Sequence, residues 1–186
     1  MTLGRPPSAI TVARVQAIEI TLNWRWAPIM VLGTWLLAQN VLPARFPAWE
    51  ISTSWLTSAA AVSAGEAALL LHELSHALVA RRKGQRVRRI VFHGFQAHTV
   101  VDQSRAAPRD EAAIALVGPG LNLALAALAA VLRLALGTQG PLDVVVLVFV
   151  IGNAATAALS LVPLGASDGA RALQALRSSG CLSGPG

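Results

Sequence analysis

The chain has 186 residues, 54% hydrophobic and only 13% charged, with a mean hydropathy of +0.57. That composition excludes intrinsic disorder and is too poor in charge for an ordinary soluble domain, so a bilayer is the expected environment. The net charge of +6 suits either nucleic acid or an anionic lipid surface, and a single cysteine, Cys181, excludes an intramolecular disulfide.

Arg5, Arg14 and Arg25 stand near the N-terminus without an apolar core between them, so no cleavable secretory signal is expected. Residues 12–15 and 18–22 alternate β-branched and polar side chains and read as short strands at the membrane surface. Residues 26–42 are almost wholly apolar, with Trp24, Trp26 and Trp35 available for the interface, and form a first span ending at Pro43. A second span, 55–80, carries Glu66, His72, Glu73 and His76, ionisable residues that need a functional reason to lie in a bilayer. The basic run Arg81, Arg82, Lys83, Arg86, Arg88 and Arg89 follows, leading into 90–101, where Val, Ile, Phe and Thr suggest an extended segment or hairpin. A third span covers 112–136, interrupted at Gly118, Pro119 and Gly120, and a fourth covers 142–164. The expected fold is therefore mainly α: a polytopic bundle of about four transmembrane helices with short surface β-strands.

Thirteen of the fifteen Lys and Arg residues fall in the N-terminal arm, the loop after the second span and the C-terminal tail; Arg45 and Arg133 are the others. This asymmetry places both termini and the basic loop in the cytoplasm. It also assigns the arginines to topology and lipid headgroups, and no nucleic-acid partner is expected.

His72-Glu73-Leu74-Ser75-His76 is an H-E-x-x-H motif. Residues four apart project from one helical face, so the two imidazoles can share one zinc ion, and Glu73 is placed to move a proton between water and a leaving amine. The alternative, polar residues that bind neighbouring helices, leaves two imidazoles and a carboxylate in a span without partners, at a cost of several kcal/mol. A catalytic zinc takes three protein ligands, so one more His, Asp or Glu is required. Asp168 is a candidate, beyond the helix break at Pro163 and Gly165, although taken alone it reads as the N-cap of a helix over 169–177. Glu66, seven residues before Glu73, either lines a water path to the metal or pairs within the bundle. His93 and His98 fall on opposite faces of a strand, so no second metal site is expected there. Gly118, Pro119 and Asn122 read as close packing and a kink, with Asn122 making a packing hydrogen bond.

These residues resemble the site-2 protease family of intramembrane zinc metalloproteases. The resemblance rests on residues 72–77 with 79–84, on Leu116-Val117-Gly118-Pro119-Gly120-Leu121-Asn122, on 163–169, and on Thr21-Leu22-Asn23-Trp24-Arg25-Trp26 entering the first span. It implies zinc ligation by His72, His76 and Asp168, one ion per chain, with Glu73 as the catalytic acid and base. The implied reaction is hydrolysis of peptide bonds in or near the transmembrane segments of single-span membrane proteins. The chain departs from the family pattern at Ser160, where an Asn is usual, at Ala166, where a second Pro is usual, at Gly169-Ala170, where a Gly pair is usual, and around Gln96 and Ala97. These changes spare the ligands and bear on peptidase efficiency. Ser160, Asn153 and Pro163 are the candidates for positioning substrate.

The resulting expectation is a cytoplasmic arm with short strands (1–25), a transmembrane metalloprotease core (26–177) and a flexible tail (178–186), in a bacterial cell membrane. The chain is expected either to be a minimal form or to take a missing wall from a second subunit, a homo-oligomer included. The competing reading is a catalytically weak or inactive relative that binds partner helices. A transporter fits less well, because the ionisable residues concentrate at one site and no repeat of broken helices is visible.

Overall fold

A computed structural model describes residues 9–15, 18–92, 97–101 and 106–179. The expectations for His93, His98, Gln96 and Cys181 fall outside the described residues or, for His98, on a side chain outside them.

Strands β1 (Ala9–Val15), β2 (Ile18–Asn23), β3 (Val87–Phe92) and β4 (Ala97–Val101) form one sheet in the order β1-β2-β3-β4. The outer pairings are antiparallel, and β2 runs parallel to β3 with Ile20 opposite Ile90. The parallel pair joins residues before the first span to residues after the second. Because a hydrogen-bonded sheet cannot straddle a bilayer, both segments lie on the same side. Ile18, Ile20 and Ile90 bury themselves against Ala77, with Leu70, Leu74 and Leu78 packed around them. The sheet is thereby seated on the last turns of the second span.

Helix α1 (Trp26–Leu36) runs through a π turn at Leu37–Val41 into the short α2 (Leu42–Arg45), and together they make one apolar rod of 20 residues. Pro43 has no N–H to give the Gln39 carbonyl, and the wide turn falls immediately before it. Helix α3 (Ile51–Arg82) has 32 residues, or about 48 Å at 1.5 Å per residue, well beyond the ~30 Å of a hydrocarbon core. It therefore tilts or projects its Arg81 and Arg82 end into the headgroups. It stops where Gly84 adopts φ +82° and the Gln85 N–H donates to the Ala80 carbonyl, which turns the chain back into β3.

Helix α4 (Pro108–Leu136) and α5 (Gly140–Leu161) form an antiparallel hairpin through Gly137 at φ +56°. Arg133 closes the turn, donating Nε and Nη2 to the two Asp143 carboxylate oxygens at 2.7 and 2.9 Å. The expected interruption at Gly118-Pro119-Gly120 is not a break: α4 is one helix through all three residues. Pro119 removes a single ladder bond, and a 29-residue helix packed on its neighbours retains the rest.

The fourth span ends at Leu161, short of the expected 164, and after an exposed turn α6 (Asp168–Ser178) lays Gly169, Ala172 and Ala175 inward. Ion pairs tie its region together: Arg171 Nη2 to Glu111 Oε1 at 2.6 Å, and Lys83 Nζ to Asp110 Oδ1 at 2.7 Å. The four spans α1 with α2, α3, α4 and α5 are each long and apolar enough to cross a membrane, so the protein is an integral membrane helix bundle with a small sheet at one end.

Candidate metal centre

One turn of α3 places the His72 and His76 side chains on one face, both almost fully buried, with the two Nε2 atoms 3.1 Å apart. The start of α6 brings Asp168 to the same point, its Oδ2 lying 3.3 Å from each Nε2. Two imidazole nitrogens and a carboxylate oxygen thus converge as a triangle with edges of 3.1, 3.3 and 3.3 Å.

Zinc bonds of about 2.0 to 2.2 Å in a tetrahedral arrangement set the ligand atoms about 3.3 to 3.5 Å apart. The triangle is close to that size, and its donor set of two imidazoles and one carboxylate is the kind found at catalytic zinc. The residues therefore fit the ion. Their mutual contacts without one would be poor, since neutral imidazoles meeting Nε2 to Nε2 offer at most one proton between them.

Asp168 reaches the site because it does not cap its helix. Ser167 is the N-cap, its Oγ accepting from the Ala170 N–H at 3.1 Å and donating to the Val162 carbonyl at 2.6 Å. This corrects the reading of Asp168 as the cap, and it leaves the carboxylate in the first helical turn, turned to the histidines. Burial pushes the Asp168 carboxyl up, but hydrogen bonding and charge from His72 and His76 outweigh it and hold the group well below the usual carboxylate range. Its other oxygen, Oδ1, lies 3.9 Å from Arg171 Nη1, so the ligand is also coupled to the Arg171 and Glu111 ion pair.

Helix α4 brings its backbone against the site at two points. The His76 Nδ1–H donates to the Ile114 carbonyl at 2.6 Å, which fixes that imidazole with Nε2 facing the triangle. A Cβ on Gly118 would stand 2.2 Å from His76 Nε2 and 2.7 Å from His72 Nε2. No side chain can occupy that position while both imidazoles stay in place. Gly169 plays a similar part in the approach of α6, where a Cβ would meet the Leu161 carbonyl oxygen at 2.0 Å.

Glu73 is half-buried on α3 beside the first histidine and is engaged in an interaction of its own. Glu66 accepts from the Trp26 indole Nε1–H at 3.1 Å, so of its two readings the structure displays pairing within the bundle. Asn153 is buried on α5, its Nδ2 donating to the Phe149 carbonyl at 2.9 Å, while Ser160 is half-buried near the end of α5 and Pro163 is exposed in the turn. None of these three belongs to the ligand triangle. Sequence reasoning missed Ser167 as the cap, the Ile114 carbonyl and the Trp26 tie. Ser immediately before an Asp-Gly helix start was a usable signal for the first; backbone carbonyls and tertiary indole contacts leave none.

No family profile matches the chain. Over 170 residues, 90% of its length, it is 31% identical to the protein named "Putative zinc metalloprotease Rip3" of Mycobacterium tuberculosis. Over 172 residues it is 30% identical to "Putative zinc metalloprotease sll0528" of Synechocystis. The chain spans 43% and 44% of the lengths of these relatives. In structure it is similar to the site-2 protease from Methanocaldococcus jannaschii, with a TM-score of 0.59 over 92% of this chain and 72% of that one, at 18% identity.

Proposed function

We propose that the chain, which shares its fold with a site-2 protease and is similar in sequence to two proteins named zinc metalloproteases, is a member of the site-2 protease family and an intramembrane zinc metalloprotease of the H-E-x-x-H type. The observation that carries the reading is the buried His72, His76 and Asp168 triangle with Glu73 next to its first member on the helix. Zinc would be held by His72 Nε2, His76 Nε2 and Asp168 Oδ2, one ion per chain, and when bound supplies Lewis acidity toward a carbonyl and toward water. The substrates are single-span membrane proteins, cut in or near their transmembrane segments.

The residues of the chain have distinct work in this scheme. Glu73 takes a proton from the water whose oxygen attacks the scissile carbonyl carbon, and returns it to the amide nitrogen as the C–N bond breaks. Gly118 keeps the helix wall low enough for the histidines to stand side by side. The Ile114 carbonyl holds the His76 tautomer, and Asp168 contributes a ligand with negative charge. Ser160 and Asn153 on α5, with Pro163 in the turn after it, are assigned to substrate positioning. The arginine asymmetry supports cytoplasmic termini, in a bacterial cell membrane, with the site below the cytoplasmic headgroups: His72 precedes Arg81 by nine residues, or about 13 Å of helix.

The test is the purified full chain in detergent. Wild type binds one zinc and cleaves a reconstituted single-span substrate; Glu73→Gln keeps the zinc and loses cleavage; His76→Ala and Asp168→Ala lose the zinc. A folded wild type that takes up no zinc refutes the reading. Cleavage unchanged in Glu73→Gln removes Glu73 from the mechanism, and a zinc-loaded wild type that cleaves nothing leaves a relative that binds partner helices.

A further inference from the structure

Among the described residues, three buried side-chain atoms have no hydrogen-bond partner: His72 Nδ1, Asn122 Oδ1 and Asn153 Oδ1. They come from three neighbouring helices, α3, α4 and α5, and they are chemically complementary. With zinc held at His72 Nε2, the proton of the neutral imidazole sits on Nδ1, so His72 is then a donor without an acceptor, while each asparagine Oδ1 is an acceptor without a donor. Leaving a buried polar group unpaired costs about 1 to 3 kcal/mol. His76 has solved the same problem with the Ile114 carbonyl.

Position distinguishes the two asparagines. Asn153 lies eight residues, about 12 Å of helix, from Leu161, whose carbonyl abuts Gly169 beside Asp168. Asn122 lies only four residues, about 6 Å, beyond Gly118, the residue that abuts both histidines. Side chains on a helix lean toward its N-terminus, so Asn122 leans back toward Gly118. Helices α3 and α4 run in opposite directions, and His76 already meets α4 at Ile114. His72, one turn earlier on α3, meets α4 one turn later, at Gly118, the turn that leads on to Asn122. Asn122 is 1% exposed and His72 3%, so bulk solvent does not serve either atom.

We propose that Asn122 is the positioning residue for His72, acting through one buried water that accepts the His72 Nδ1–H and donates to Asn122 Oδ1. The bridge fixes the tautomer and tilt of His72 as the Ile114 carbonyl fixes those of His76, completing the outer support of both imidazoles. Asn122 is thus more than the packing residue its place after Gly-Pro-Gly suggests. The proposal rests on the zinc reading above.

The experiment measures zinc affinity by competition with a chromophoric chelator, and the unfolding midpoint of the metal-free protein, for the full chain and two variants in detergent. Asn122→Leu keeps the bulk and removes the acceptor: zinc affinity falls about 10- to 100-fold while the metal-free midpoint holds or rises. Asn122→Asp keeps the oxygen in place and retains wild-type affinity or better. Wild-type affinity in Asn122→Leu overturns the proposal and leaves the zinc reading standing. An equal loss in both variants, or a loss of affinity matched by a lower metal-free midpoint, assigns Asn122 to packing and also overturns it. A wild type that binds no zinc overturns both.

Discussion

Two glycines two residues apart in α4 are predicted to behave oppositely when replaced by alanine. In an ordinary helix interior the exchange gains about 1 kcal/mol, because alanine loses less conformational freedom on folding. Gly120→Ala should follow that rule, since a Cβ there meets nothing within 4 Å. Gly118→Ala should not. Its Cβ would lie 2.2 Å from His76 Nε2, more than 1 Å inside the ordinary contact range that begins at 3.4 Å, and 2.7 Å from His72 Nε2. Both contacts are with atoms proposed to bind the metal, and metal sites tolerate errors of only about 0.2 Å in ligand distance. Either an imidazole swings away or α4 retreats from α3, and the triangle opens in both cases. The expected loss of zinc affinity is at least about 100-fold, or ~2.7 kcal/mol. Zinc content and chelator competition on detergent-purified protein measure it, with the metal-free unfolding midpoint showing that the helix still folds. A Gly118→Ala protein that holds one zinc at wild-type affinity would refute the geometry on which the metal centre is built.

Ser167→Ala removes the N-cap of α6 and is expected to cost about 1 kcal/mol, read as a lower unfolding midpoint, together with weaker zinc binding, because the first turn that presents Asp168 frays. Ser167→Asp, which caps equally well, should restore both; failure of the restoration would mean that the hydroxyl serves something other than the cap. The proposed topology is checked with the chain's lone thiol: in inverted membrane vesicles Cys181 should react with a membrane-impermeant maleimide, and in right-side-out vesicles it should react only after permeabilisation. The reverse pattern would place the termini outside and the arginine argument in error.

The helical part of the fold was legible because a bilayer writes itself into sequence as long apolar runs, and the motif at 72–76 was legible because a helix converts a spacing of four into a shared face. The boundaries were harder to read. α3 begins at Ile51 rather than 55, and Ser54, Thr57 and Ser58 in its first turns are buried, which composition alone does not reveal. The continuity of α4 through Pro119 depends on packing that repairs a local defect. The parallel pairing of β2 with β3 is a contact between segments separated by two membrane spans, and nothing local encodes it. The same holds for Trp26 and Glu66, 40 residues apart, where the sequence offered an ionisable residue in a span but not its partner.

The three proposed ligands differ in how firmly the fold holds them, and that difference orders events at the site. His72 and His76 stand on a 32-residue helix clamped between the sheet and α4, so their spacing is set before any ion arrives. Asp168 stands at the start of an 11-residue helix that follows an exposed turn, held by its Ser167 cap, by Arg171 to Glu111 and by the close approach of Gly169 to Leu161. An isolated helix of that length is marginal in water, so the docking of α6 depends on these contacts together with the burial of Ala172 and Ala175 against its neighbours. A metal ion bound by all three ligands therefore draws part of its binding free energy from two preset nitrogens and spends part of it fastening α6 to α3 and α4. It follows that zinc should protect the backbone amides of α6 from hydrogen exchange more than those of α3, where the tertiary contacts already do so. Equal protection of the two helices on zinc binding would show that the carboxylate is as firmly preset as the histidines.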